Sequence, residues 1–129
     1  MPTCQGSCLC GQVSYEVDLP FETYVNCHCS RCRKANGSAH AANATVLPAA
    51  FRWLRGEVVR FVLPEARSFA VAFCRHCGSQ QPHATRSGSR VIVPTGTLDT
   101  DPGEHPTKHV FWSSRALWSG ALADLPKVD

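Results

Sequence analysis

The sequence predicts an all-β fold of short strands with little helix, and three observations lead to it. Several stretches alternate apolar and polar residues, the period of a strand with one buried face. Nine Gly and nine Pro interrupt the chain often enough to break helical patterns. Seven of the eight cysteines fall into compact clusters, Cys8-x-Cys10, Cys27-x-Cys29-x-x-Cys32 and Cys74-x-x-Cys77, suited to strand ends and turns. Sulfurs one or two residues apart lie on one side of a turn. There they chelate a metal ion, whereas bonding to each other would strain the chain.

Taken in order, residues 12–18 alternate around Val13, Tyr15 and Val17 and read as a strand. Residues 23–27 read as a second strand that delivers its end into the cysteine triplet. Residues 30–36 are short and polar, one helical turn closed by Gly37. Residues 39–47 are expected extended, with Pro48-Ala49-Ala50 opening a turn or short helical piece that leads to Phe51 and Trp53. Residues 58–63 and 68–73 flank Pro64 and read as neighbouring strands, the second ending at Cys74. Residues 90–94 and 108–112 are further strands, and residues 100–106, with two Pro and one Gly, form a surface loop. Trp53, Trp112 and Trp118 are expected in the core or in a pocket wall. No repeat or linker divides the chain, so residues 1–129 are expected to form one zinc-binding domain.

No apolar run reaches membrane-spanning length, and the start Met1-Pro2-Thr3-Cys4 lacks a signal-peptide pattern. A cytoplasmic location is the expectation. Its reducing conditions favour metal-bound thiols over disulfides. The formal charge of +3 counts thiols as neutral. Seven thiolates and two zinc ions cancel it, which removes the global field a nucleic-acid partner would use.

Cys74-Arg75-His76-Cys77-Gly78 is a zinc knuckle, its Gly able to take the positive φ such a turn needs. Cys8-Leu9-Cys10-Gly11 repeats the trailing Gly. Each pair lacks ligands alone, and together Cys8, Cys10, Cys74 and Cys77 supply the four of a closed structural site. Cys27, Cys29 and Cys32 supply three, leaving one position to an outside thiol or water. Cys4, His28, His40 and His76 are the protein groups that could close that site instead. Cys4 is expected to remain a free surface thiol, and His28 to point away from the metal. Arg31, Arg33 and Lys34 flank the triplet and suit the carboxylates of an acidic thiol or nucleic-acid phosphates, or a solvated turn.

The clusters, together with Pro94-Thr95-Gly96-Thr97-Leu98-Asp99 and the segment from His109-Val110-Phe111 to Asp124-Leu125-Pro126, resemble the glutathione-dependent formaldehyde-activating enzyme family. That family also includes centromere protein V. The resemblance implies a β-tent fold with two zinc ions per chain. Cys8, Cys10, Cys74 and Cys77 would hold the structural ion, and Cys27, Cys29 and Cys32 the catalytic one. It also implies addition of glutathione to formaldehyde, classed as a carbon–sulfur lyase for the reverse direction. Cys4 is extra to the family pattern, and Gln80-Gln81-Pro82-His83, His40 and Asn43 depart from it at positions expected to line the pocket. Three thiolates make zinc a weak Lewis acid, better suited to delivering a thiolate than to polarising water. The competing reading is a non-catalytic zinc module that binds protein or nucleic acid. The short termini, ending in Lys127-Val128-Asp129, lack the basic tails such a role would use.

Overall fold

A computed structural model describes residues 2–129 and shows a chain of mostly strands with one α-helix. The elements are β1 (Thr3–Ser7), β2 (Ser14–Asp18), β3 (Thr23–Cys27), α1 (Ser30–Asn36), β4 (Ala41–Val46), β5 (Phe51–Arg55), β6 (Val58–Val62), β7 (Ala70–Cys74), β8 (Gln80–Gln81), β9 (His83–Ala84), β10 (Val91–Pro94) and β11 (Lys108–Val110). Single 3-10 turns lie at Pro48–Ala50, Thr95–Thr97 and Trp112–Ser114, and a longer 3-10 segment at Leu117–Asp124.

Three sheets form, in the orders β1-β2-β5, β11-β3-β4-β10-β9 and β6-β7-β8. All pairings are antiparallel except β11 with β3. Alternation sends Tyr15 and Val17 of β2, Ala44 and Val46 of β4, and Val91 and Val93 of β10 into one core with Cys4, Leu19 and Phe21. Full burial of a Val is worth roughly 1.5–3 kcal/mol, so this cluster joins the first two sheets firmly. The other face of the five-stranded sheet turns to the third sheet, and a cavity lies between them.

Several expectations are corrected in detail. β1 was not anticipated, because its buried positions are Cys4 and Gly6 rather than large apolar residues. The expected turn at Pro48–Ala50 forms as a 3-10 turn, and the residues after it make a strand not anticipated: Phe51 and Trp53 of β5 sit on Tyr15, with ring centroids at 5.5 and 6.3 Å, and the strand pairs with β2. β11 stops at Val110, since Phe111 takes a left-handed φ of 53° and opens a 3-10 turn. The tryptophans are neither core nor cavity wall: Trp53, Trp112 and Trp118 are 42%, 46% and 67% exposed. Among the described residues, no helix is long and apolar enough to cross a membrane.

Candidate functional site

Two groups of thiols come together. Cys8 follows β1, Cys10 lies in the turn before β2, Cys74 ends β7 and Cys77 lies in the turn to β8. Their sulfurs all lie within 4.8 Å of one another. A tetrahedral zinc ion with sulfurs at about 2.3 Å sets them about 3.8 Å apart. Here Cys8 Sγ and Cys10 Sγ are separated by 3.6 Å, and Cys10 Sγ and Cys74 Sγ by 3.9 Å. The quartet fits zinc.

Backbone N–H groups aim at these sulfurs as they would at thiolates: Val13 donates to Cys8 Sγ at 3.2 Å and His76 to Cys74 Sγ at 3.4 Å. The knuckle closes when Gly78 donates to the Cys74 carbonyl at 2.8 Å, and Gly78 has the positive φ of 74° expected of it. Burial pushes the Cys8 thiol up, but the Val13 N–H and the neighbouring cysteines outweigh it and bring the thiol down to about 6. The Ser79 and Cys10 N–H groups lower Cys77 despite some desolvation.

The second group is Cys27, Cys29 and Cys32, again with sulfurs within 4.8 Å of one another. The Cys27 thiol is delivered by the end of β3. Cys29 caps α1: its sulfur accepts the Cys32 N–H at 3.3 Å, so one hydrogen bond starts the helix and fixes two ligands. Gly37, at φ 65°, ends the helix by donating to the Arg33 carbonyl at 2.8 Å. The hydrogen bond with Cys32, then those from Cys29, bring the Cys27 thiol to about 6 against its burial. Cys32 is raised correspondingly, by Cys27 first and by burial. One thiolate forms readily, and a bound cation is what allows three.

Among the described residues no further His, Cys, Asp or Glu joins the triplet. Cys4 is 2% exposed in the core, and its sulfur meets the Thr100 carbonyl at 3.2 Å and the Thr100 hydroxyl at 3.0 Å. It is free, as expected, yet buried and ordered by β1 rather than a surface thiol. His28 packs behind the triplet, 2% exposed, with its Nε2 at 2.8 Å from His109 Nδ1 and the His40 and Trp112 rings around it.

All three sulfur-bearing residues of the triplet line a cavity of about 520 Å³. Its floor is one face of the five-stranded sheet, including Val25, Ala41, Asn43 and Ile92. Phe69, just before β7, and Ala70 and Val71 of β7 form the opposite wall. Of the basic residues flanking the triplet, Arg31 lines the cavity, whereas Arg33 and Lys34 do not. Ala35, one helical turn after Arg31, lines it as well. The Arg33 charge contributes to lowering His28, and among the described residues its buried Nε has no hydrogen-bond partner. Arg67, Gln81 and His83 line the cavity too. Among these, the Gln80–His83 segment carries a signal in the sequence, its polarity at a pocket position, while Arg67 arrives through the β6–β7 connection.

The family model described as glutathione-dependent formaldehyde-activating enzyme matches residues 3–114, which include both thiol groups and the whole cavity lining. The chain belongs to this family. A crystal structure of a Rhodobacter sphaeroides protein is similar to this member of the family, with 32% identity and a TM-score of 0.59. The match covers 79% of this chain and 97% of that chain. No curated protein matches the chain significantly.

Proposed function

We propose that this family member is a zinc-dependent enzyme of thiol addition and carbon–sulfur bond cleavage, with glutathione as the thiol and a small aldehyde such as formaldehyde as its partner. The observation that carries the reading is three closely spaced sulfurs opening on a cavity large enough for a tripeptide thiol. Cys8, Cys10, Cys74 and Cys77 would hold a structural zinc ion, and Cys27, Cys29 and Cys32 a catalytic one. That ion, when bound, supplies stabilisation of an incoming thiolate.

The reaction joins a thiol to a carbonyl: the carbon–sulfur bond forms, the C=O π bond breaks, and the thiol proton ends on the carbonyl oxygen. No redox partner is needed. The chain's part is to position and to dry. The β3 end and the first turn of α1 hold three sulfurs rigidly at one end of the cavity. Arg31 lines the cavity and would meet a glutathione carboxylate, and among the described residues no acidic side chain lines it to repel one. The apolar floor and wall exclude water from the reacting carbonyl, and close placement of the two reactants supplies much of the rate. Clustered thiols of this kind suit a reducing cytoplasm.

Glutathione titrated into protein loaded with cobalt in place of zinc tests the reading. A saturable change in the visible absorption bands of the cobalt, lost in Cys29→Ser, is expected. Unchanged bands at millimolar glutathione would contradict it.

A further inference from the structure

Two arginines line the cavity, and the sheet register puts them at different ends. Arg31 lies between Cys29 and Cys32, at the thiol end. Arg67 lies in the connection from β6 to β7. Its carbonyl and that of Ala66 accept hydrogen bonds from Arg86 Nη1, at 3.1 and 2.7 Å, and Arg86 belongs to the turn between β9 and β10. That turn leads into Val91, which pairs with Val46 at the end of β4, whereas Cys27 pairs with Ala41 at its start. The length of β4, roughly 16 Å, thus separates the triplet from the end at which the Arg67 backbone is anchored.

The loop that carries Arg67 is fixed by its own bonds. Ala66 is 4% exposed and donates to the Leu63 carbonyl at 3.1 Å, and Leu63 donates to the Phe69 carbonyl at 3.1 Å. Arg67 itself is exposed and lines the cavity, so a solute reaches it. Among the described residues the ion pairs are those of Arg52 with Glu16 and Asp18 and of Arg90 with Glu22. No carboxylate of the protein is therefore paired with Arg31 or Arg67, and no acidic side chain lines the cavity between them. Arg60 adds positive charge behind the far end: its Nη1 donates to the Ala84 carbonyl at 2.7 Å, next to His83, whose imidazole it helps to hold neutral. Much of the remaining lining is apolar, with Val25 and Ile92 on the floor and Phe69 and Val71 opposite. An unpaired arginine at each end of such a cavity suits reactants with an anionic group at each end, and the planar fork of a guanidinium matches a carboxylate.

We propose that Arg67 is a carboxylate subsite at the end of the cavity remote from the thiols, so that the reactants joined here present carboxylates at both ends. The proposal rests on the thiol-addition reading for the source of that group, which is either the second carboxylate of glutathione or one carried by the aldehyde. The addition balances as before, and the subsite itself is a matter of binding.

Zinc-loaded wild type and Arg67→Met test it, with Lys127→Met as a control that removes the same charge from the surface. Calorimetry reads the binding of glutathione and of its diethyl ester. Exchange NMR with glutathione reads how far the protein accelerates hemithioacetal formation from 4-formylbenzoate and from 4-methylbenzaldehyde. If the thiol brings the carboxylate, Arg67→Met should weaken glutathione about fivefold, the upper end for a partly exposed ion pair, and leave the diester unchanged. If the aldehyde brings it, wild type should prefer 4-formylbenzoate to 4-methylbenzaldehyde about fivefold, and Arg67→Met should lose that preference. Either result, with zinc content kept, upholds the subsite. Neither effect, equal loss for the uncharged probes, or the same loss in Lys127→Met would overturn it. If no aldehyde is accelerated, the thiol-addition reading fails. The Arg67 Nε–H signal, assigned by its absence from Arg67→Met, then decides the subsite alone. A saturable shift with glutathione or 4-formylbenzoate, absent with the diester and 4-methylbenzaldehyde, upholds it, and an unmoved signal overturns it.

Discussion

His83 shows how one side chain's surroundings set its charge. Burial first, and the nearby Arg60 guanidinium second, hold its imidazole down to about 4 against an ordinary value near 6.5. In the unfolded chain the same ring protonates first as pH falls. The unfolded state therefore binds more protons between about 6.5 and 4, and stability rises with pH across that window. The contribution is fully present above 6.5 and is lost as pH falls towards 4, up to about 3 kcal/mol in all. The zinc-loaded protein should lose stability between pH 6.5 and 5 more steeply than His83→Gln does, as read from denaturant midpoints. Parallel slopes would show that the ring is not desolvated. His28 and His40 are lowered in the same direction, by burial first, and add to the slope in both proteins.

At the scale of the element, α1 carries the argument. It is seven residues long, too short to be stable alone, and it exists because both ends are tied: Cys29 caps the start and Gly37 the end. A Cβ built at Gly37 meets nothing within 4 Å, so the cost of a side chain there is backbone strain alone. Gly37→Val should cost about 1–2 kcal/mol, and Gly37→Asn distinctly less, since Asn tolerates the left-handed region. Thermal melts of the two variants check this, and equal losses would mean that the cap is not what closes the helix. This element was legible in the sequence because its cues are local, a short polar stretch and the glycine after it, whereas the Cys29 cap is seen only in the structure. β2 was legible by its alternation of apolar residues, and β10 as a short β-branched run, Val91-Ile92-Val93. β1 was not, since Cys4 and Gly6 face inward without looking like a core pattern. For the site the division is the same. Cysteine spacing pointed to both thiol groups. The cavity role of Arg67, and the fact that Arg31 rather than Arg33 or Lys34 lines the cavity, depend on sheet packing and helical rotation that adjacent letters do not encode.

Across the whole molecule the proposed function gives the two thiol groups different mechanical work. A zinc ion on the quartet would tie the β1–β2 turn to the β7–β8 turn, closing a long stretch of chain between Cys10 and Cys74. It would thereby hold the third sheet, one wall of the cavity, against the rest. Closing so long a loop with a metal restricts the unfolded chain strongly, and structural zinc is worth on the order of 10 kcal/mol in small domains. That rivals the entire net stability of an ordinary domain. The triplet spans only six residues at the junction of β3 and α1, a segment already held by sheet pairing and by the Val110 carbonyl, which accepts the His28 N–H at 3.0 Å. A metal there would hold little together, as the proposed site for chemistry requires. Elemental analysis of Cys29→Ser beside Cys74→Ser, with a melting curve for each, tests this division most directly. The wild type should carry two zinc ions per chain. Cys29→Ser should carry one and melt within a few degrees of it, while Cys74→Ser should lose the cooperative fold. If Cys29→Ser unfolds as badly as Cys74→Ser, or if both keep two ions, the unequal roles of the two sites are contradicted.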